Sequence, residues 1–215
     1  EGEFLNSKKN GQVTVTFANG NFYEGKFKND LMHGYGVFTF DEGEVYEGMH
    51  EFGLRSGIGS YIEIDGSKYE GSYKDDMKHG YGIYTSNNDE YGNYDGYYQF
   101  DKQNGYGHEW WLDGSSYKGE YKDGLYHGQG IFTTEDGSVY EGNFDNWYYS
   151  GFGTFTYSSG QKYEGLFEED YFSGQGSFTT QDGSNYSGNW TEDMMDGMGV
   201  FNFSDGSKYE GMFEF

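Results

Sequence analysis

A tyrosine followed two residues later by a glycine returns along this chain at nearly constant spacing: Tyr23, Tyr46, Tyr69, Tyr94, Tyr117, Tyr140, Tyr163, Tyr186 and Tyr209. Every step is 23 residues except Tyr69 to Tyr94, which is 25. Eleven residues after each of the first eight tyrosines stands Gly-x-Gly, from Gly34/Gly36 to Gly197/Gly199. A turn glycine precedes most tyrosines by three residues, as in Asp65-Gly66, Asp113-Gly114 and Asp136-Gly137. Of the 38 glycines, 35 fall on this frame, which excludes chance repetition. A fixed period of about 20–50 residues identifies an array of small units that bury their apolar faces only against neighbours.

Within each period two short segments alternate with period two, the pattern of a strand. Tyr23, Gly25 and Phe27 share one face, with Glu24 and Lys26 on the other. In the second segment Gly34, Gly36, Phe38 and Phe40 share a face, opposite Tyr35, Val37 and Thr39. Asp-Gly between apolar runs predicts a tight hairpin turn, because glycine accepts positive φ. The expected fold is all-β: an elongated single-sheet solenoid of antiparallel two-stranded hairpins, one per 23-residue repeat. At about 4.8 Å per strand, nine repeats extend roughly 90 Å.

Such a sheet needs a core, and here composition supplies one. The chain has 24 Tyr, 19 Phe and 4 Trp but a single alanine, Ala18. The residues assigned to the framework are Tyr23, Gly25, Gly34, Gly36, Tyr46, Gly48, Tyr69, Gly71, Tyr117, Gly119, Tyr140, Gly142, Tyr163, Gly165, Tyr186 and Gly188. Three glycines per repeat are expected to leave flat troughs that receive the Tyr and Phe rings of adjacent hairpins. Each buried large side chain contributes about 1.5–3 kcal/mol and each ring pair about 0.5–1.5 kcal/mol more. The expected organisation is one array over 1–215, with a degenerate first copy at 1–22, a two-residue insertion within 83–93 and a truncated last copy at 209–215. Neither end carries the polar face that caps a repeat array. The expectation is a piece of a longer array, or ends covered by partners.

Tyr-Glu-Gly-x-aromatic, a short charged loop, His-Gly-x-Gly, an aromatic strand and Asp-Gly, all on this period, resemble the MORN (membrane occupation and recognition nexus) repeat. About nine copies fit, most weakly in residues 1–20 and 83–93. The competing aromatic-glycine array, the choline- or glucan-binding wall module, wants Trp-Tyr-Tyr in every copy, and only Trp147-Tyr148-Tyr149 suggests one.

The net charge of −24 opposes binding to phosphate backbones and to anionic lipid surfaces. No apolar run approaches the ~20 residues of a membrane-spanning helix, no leader sequence is evident, and cysteine is absent. His33, His79 and His127 share one frame position. Two repeats separate His33 from His79, roughly 20 Å by strand spacing, too far to share a metal. The carboxylates after each tyrosine (Glu24, Glu47, Glu70, Asp95, Glu141, Glu164, Glu210) sit in equivalent surroundings, so none is singled out as acid or base. The expectation is therefore no catalysis, no metal and no cofactor.

Two sets of residues are candidate partner sites. At the loop edge, where the MORN family tends to carry Lys or Arg in the manner of Arg55 and Lys78, this chain has Leu31-Met32, Leu125-Tyr126, Tyr148-Tyr149, Tyr171-Phe172 and Met194-Met195. Contiguous exposed apolar surface marks interaction sites, and the alternative is local packing over the adjacent repeat. On the open face of the sheet, Tyr35, Ile58, Tyr81, Tyr106, Phe152 and Met198 lie between the paired glycines. Glu109 takes a position that other copies give to Phe or Tyr, followed by Trp110-Trp111; with the stretched fourth repeat this reads either as a repacked turn or as a bend or docking point.

The resemblance implies a non-catalytic scaffold for other proteins, with acidic strips favouring basic helices or tails, in a cytoplasmic, cytoskeletal or ciliary assembly such as a radial spoke, and with association as a homodimer or multi-subunit complex. Phospholipid-headgroup binding, which the family name suggests, is the alternative. Carbohydrate binding ranks third.

Overall fold

The computed structural model describes residues 1–89 and 91–214. Glu90, in the inserted loop, and Phe215, at the end of the last copy, lie outside the described residues. Among the described residues there is no helix, and the strands form an antiparallel sheet built of one hairpin per repeat, the fold class expected from the alternation. The chain divides into two compact units, 1–107 and 108–215.

The first unit holds β1 (Gly2–Leu5), β2 (Lys8–Thr16), β3 (Phe22–Lys28), β4 (Leu31–Thr39), β5 (Val45–Glu51), β6 (Leu54–Ile62), β7 (Lys68–Lys74), β8 (Met77–Thr85), β9 (Asn93–Gln99) and most of β10 (Lys102–Trp110). Each pairs antiparallel with the next. The second unit holds β11 (Ser116–Lys122), β12 (Leu125–Thr133), β13 (Val139–Asp145), β14 (Tyr148–Thr156), β15 (Lys162–Glu168), β16 (Tyr171–Thr179), β17 (Asn185–Thr191), β18 (Met194–Asn202) and β19 (Lys208–Phe213), paired in the same way. The two extra residues of the fourth repeat do not disturb pairing. β8 and β9 keep the regular register, Gly82 opposite Gly96 and Tyr84 opposite Tyr94, and the excess is taken up in the turn between them.

The turns are distributed differently from the sequence expectation. The two-residue turns lie at the charged loops, Asn29-Asp30, Asp75-Asp76, Glu169-Asp170 and Glu192-Asp193, where both residues have positive φ. That geometry matches the right-handed twist of the flanking strands, and Asn and Asp tolerate it better than other non-glycine residues. The Asp-Gly pairs sit in wider loops. At Asp65-Gly66, Glu63 donates its N–H to the Ser67 carbonyl, and Gly66 donates to the Glu63 carbonyl.

The three framework glycines do different things. Gly34 stands at a bulge: pairing runs from Gly25 opposite Gly36 to Phe27 opposite Met32, so β4 spends two more residues than β3. Its φ of 77° is in the left-handed region that favours glycine. Gly25 and Gly36 instead face each other across the hairpin, and the ring of Tyr23 lies directly on them, with its hydroxyl donating to the Lys26 carbonyl at 3.2 Å. This arrangement recurs in the seven copies that follow. Tyr46, Tyr69, Tyr94, Tyr117, Tyr140, Tyr163 and Tyr186 are, like Tyr23, almost wholly buried, each donating to the carbonyl three residues on. The expectation that troughs of three glycines receive rings from adjacent hairpins is corrected on both points. Two glycines form the trough, and the ring that fills it comes from the same hairpin. A tyrosine leaving β3 two residues before Gly25 projects on the same face and reaches its own glycines at no cost in chain path.

Each ring is met edge-on once by its own strand and once by the adjacent hairpin. Tyr23 meets Phe27 and the next copy's His50 edge-on, both at 5.2 Å between centroids. Tyr69 does the same with Tyr73 and Tyr98, and Tyr163 with Phe167 and Trp190. Edge-to-face pairs are the favoured aromatic geometry, so a file of rings replaces an aliphatic core. Burial pushes the hydroxyls of Tyr23 and Tyr69 up to about 12. They stay neutral at any physiological pH.

Candidate functional site

The loop-edge pairs split into an outer and an inner member. Leu31, Tyr148, Tyr171 and Met194 are exposed, and Leu125 is half-buried. Their neighbours turn inward and close the second face of each buried tyrosine. Tyr126 stacks on Tyr117 at 3.6 Å, Tyr149 on Tyr140 at 3.8 Å and Phe172 on Tyr163 at 3.7 Å. Met32 packs on the cluster of Tyr23 and Phe27, and Met195 sits opposite Trp190. Tyr126 and Phe172 are buried. Placing the inner members on a partner-facing edge is therefore corrected at these two, whose rings are committed to the core. Where the family's basic residues remain, the same place is filled by a cation: Arg55 lies 5.7 Å from the Tyr46 centroid and 5.0 Å from Tyr73, and Lys78 lies 4.8 Å from Tyr69. An aromatic at this position thus substitutes for a cation over a ring.

The hairpin tips add three exposed rings, Phe52 and Phe100 where other copies carry Asn or an acid, and Trp147 where most others carry Asp or Gly. Phe52 and Phe100 meet His33 and His79 edge-on. Their signal in the sequence was a departure from the charged turn. It is faint, because a turn tip accepts any side chain that solvent accepts.

The six open-face residues all point away from the tyrosine file and are exposed: Tyr35, Ile58, Tyr81, Tyr106, Phe152 and Met198 are each 47–68% accessible. The glycine register places another row beside them that the sequence reading missed. Tyr35 faces Met49, Tyr81 faces Tyr97, Phe152 faces Leu166 and Met198 faces Met212. Pairing Gly36 with Gly48 sets these partners, so the register of the glycines was the available signal. The rows are not equally apolar. In the second unit Gln129 bonds Asn143 at 2.5 Å, and Gln175 bonds Asn189, which interrupts the row.

The carboxylate ladder runs along the same face. Tyr35 donates its hydroxyl to Glu47 and Tyr81 to Asp95, which raises both phenols because the neutral donor is the form the carboxylate favours. Lys68, Lys162 and Lys208 each pair with the glutamate two residues on, at 2.7–2.9 Å. A cleft in the first unit is lined by Tyr35, Glu47, Ile58, Lys68, Glu70 and Tyr81, among others.

Of the histidines, His127 lies 3.6 Å from Asp145, and no group of three or more His, Asp or Glu side chains converges among the described residues. Glu109 is the one acid in the aromatic row that is drawn into the packing. It accepts hydrogen bonds from Tyr121 and Tyr126 at 3.2 and 3.3 Å, and burial raises its carboxyl above the ordinary value of 4.5. A carboxyl whose folded pKa is raised contributes stability below its unfolded pKa and loses it as pH rises through the folded value. Glu109→Gln is therefore expected to raise the melting temperature at pH 7–8. The gain should shrink as pH falls toward 4.5 and vanish below it, which thermal melts across that range check.

No curated protein matches the sequence. Among solved structures, the TCP10 domain of Danio rerio CPAP is similar at 14% identity and a TM-score of 0.49, covering 93% of this chain and 94% of that one. The SAS-4 (dCPAP) TCP domain of Drosophila melanogaster, in complex with a Proline Rich Motif of Ana2, shows 9% identity and a TM-score of 0.40, covering 94% and 90%. A virginiamycin B lyase from Staphylococcus aureus shows 10% identity and a TM-score of 0.17, covering 95% and 85%. At these scores the likenesses carry no functional weight. The MORN repeat, by contrast, matches at residues 1–22, 23–45, 69–90, 94–116, 117–139, 140–162, 163–185 and 186–208. The one whole copy it skips, 46–68, carries β6 and all of β5 but Val45 and repeats the same hairpin, with Tyr46 buried on Gly48 and Gly59. Periodicity, buried tyrosines and facing glycines agree with that match: the chain belongs to the MORN-repeat family.

Proposed function

We propose that this chain is a non-catalytic protein-interaction scaffold, serving as a structural subunit of a cytoskeletal or ciliary assembly. The observation that carries the reading is the row of large apolar side chains on the open sheet face. A half-exposed antiparallel sheet ordinarily turns polar residues outward. Here the outward row instead holds Tyr35, Ile58, Tyr81, Tyr106, Phe152 and Met198, all exposed and none needed by the tyrosine file. Tyr35, Ile58 and Tyr81 line one cleft in the first unit, and contiguous exposed apolar surface of this kind marks a place where another protein sits. The outer loop-edge residues Leu31, Tyr148, Tyr171 and Met194 form a second, smaller contact line. Family membership supports a scaffold, and repeats that supply equivalent surroundings give no copy a distinct chemistry.

The test is crosslinking mass spectrometry on native material, combined with recovery of partners by two variants. Ile58→Asp with Tyr81→Asp alters the open face, and Tyr148→Ser with Tyr171→Ser alters the loop edge. Both pairs are exposed, so stability should change by less than about 0.5 kcal/mol per site. Recovery of crosslinked partners should fall at least about tenfold for the open-face pair, as when central apolar contacts are removed from an interface. Unchanged recovery by both variants refutes the reading.

A further inference from the structure

We infer that the open face of the first unit receives a basic amphipathic α-helix lying across the strands, one heptad per repeat. This rests on the scaffold reading and names the partner's form. Three observations carry it.

The first is spacing. Tyr35, Ile58, Tyr81 and Tyr106 occupy equivalent positions on β4, β6, β8 and β10, two strands apart each time, with β5, β7 and β9 paired between them. Two strands advance about 9.6 Å. Seven residues of an α-helix advance about 10.5 Å and return to the same face. A helix crossing the strands therefore sets one apolar residue against each of these four side chains over about 29 Å, the length of about 20 helical residues.

The second is width. On β6 the walls Ile58 and Ile62 stand four residues apart with the smaller Ser60 between them, and the cleft they line extends to Tyr35 and Tyr81. Four residues of strand span about 13 Å, which accommodates a helix of about 10–12 Å diameter. An extended chain, about 5 Å across at strand spacing, leaves such a trough mostly empty.

The third is charge. The floor carries Glu24, Glu47, Glu70 and Asp95, one acid per repeat, in register with the apolar wall. Lys26 and Lys68 are the basic residues on these rows, and Lys68 is paired with Glu70. The complementary helix carries one Lys or Arg per heptad beside its apolar residue. A second copy of this chain, with 37 acidic against 13 basic residues, is disfavoured as occupant by the same charge. In the second unit Gln129 and Gln175 replace the wall residues in alternate copies, so the four-contact register exists only in the first.

The experiment uses the full chain and a labelled peptide of about 21 residues, bearing one Leu and one Lys per heptad on one face. Comparison peptides are a scrambled sequence of the same composition, the same helix with Glu for Lys, and a proline-rich extended peptide of equal charge. Anisotropy reports binding, and circular dichroism reports peptide helicity. The heptad peptide should bind and gain helicity, with the scrambled and acidic peptides at least about tenfold weaker. Ile58→Asp with Tyr81→Asp should weaken it at least about thirtyfold, and Phe152→Asp with Met198→Asp less than about twofold. Should the aspartates disturb the sheet, Ile58→Ser with Tyr81→Ser replaces them. Equal binding by the scrambled or proline-rich peptide, no gain of helicity, or equal sensitivity to the second-unit pair overturns the inference. If native crosslinks map to this face while the heptad peptide fails, the helix is wrong and the scaffold reading stands; absence of crosslinks at both surfaces removes the scaffold reading itself.

Discussion

Tyr140→Ala is expected to destabilise the second unit by about 3–5 kcal/mol in urea unfolding, the range for deleting a fully buried aromatic ring. The ring is wholly inaccessible and closed on every side. Gly142 and Gly153 lie beneath it and Tyr149 above it at 3.8 Å, with Phe144 and Phe167 at its edges at 5.1 and 4.9 Å. Removing it leaves a cavity that neighbours cannot fill, because the floor has no side chains and the walls, Phe144 and Tyr149 of the same copy and Phe167 of the next, are held by the strands they stand on. Tyr140→Phe isolates the hydroxyl: it keeps the ring and loses the 2.8 Å bond to the Asn143 carbonyl together with the contact to the Ser150 backbone, at a cost of about 1 kcal/mol. A cost below about 1 kcal/mol for the alanine variant contradicts the view that these tyrosines are the core.

The reciprocal change is Gly153→Ala. A β-carbon there stands 2.6 Å from the Tyr140 hydroxyl and 2.7–2.8 Å from two ring carbons, closer than real contacts allow. The ring must rise off its floor, yet Tyr149 already covers it. We expect a loss of about 3 kcal/mol, at the upper end for overpacking. Gly160→Asn is the comparison: its φ is 90° and nothing lies within 4 Å of a β-carbon, so the loss should stay under about 1 kcal/mol. The double variant Tyr140→Ala with Gly153→Ala should cost less than the sum of its parts by at least about 1 kcal/mol, since the methyl group enters space that the ring has left. Additivity within error means that ring and glycine do not share a slot.

These two results address one lock-and-slot arrangement from both sides, and the sequence showed both halves of it. Tyrosine and glycine two residues apart, with Gly-x-Gly eleven residues on, announce a hairpin in which rings lie on bare backbone. What periodicity leaves open is which ring lies on which glycines. The spacing in the chain is the same whether Tyr23 covers Gly25 and Gly36 or the glycines of a neighbour. Gly36 faces Gly25 and Gly48 alike, and only the ring of Tyr23, lying against Gly25 and Gly36, decides for its own hairpin. Gly34 likewise reads as a third trough glycine until the register shift reveals a bulge.

The candidate sites divide along the same line. The outward direction of Tyr35, Ile58 and Tyr81 followed from strand alternation, a local property that every residue pair carries with it. The direction of Tyr126 and Phe172 did not, because these residues flank a bulge where two residues oppose more than two and simple alternation ends. Met49 and Tyr97 became visible only as cross-strand partners of Tyr35 and Tyr81.

The amino-acid sequence by itself determined the repeat, the strands, the aromatic core and the family, because each depends on contacts a few residues apart that recur in every copy. The tertiary structure decided which rings are spent on packing and which remain for a partner. That assignment depends on register between strands, and a shift of one residue would exchange the two faces of the sheet.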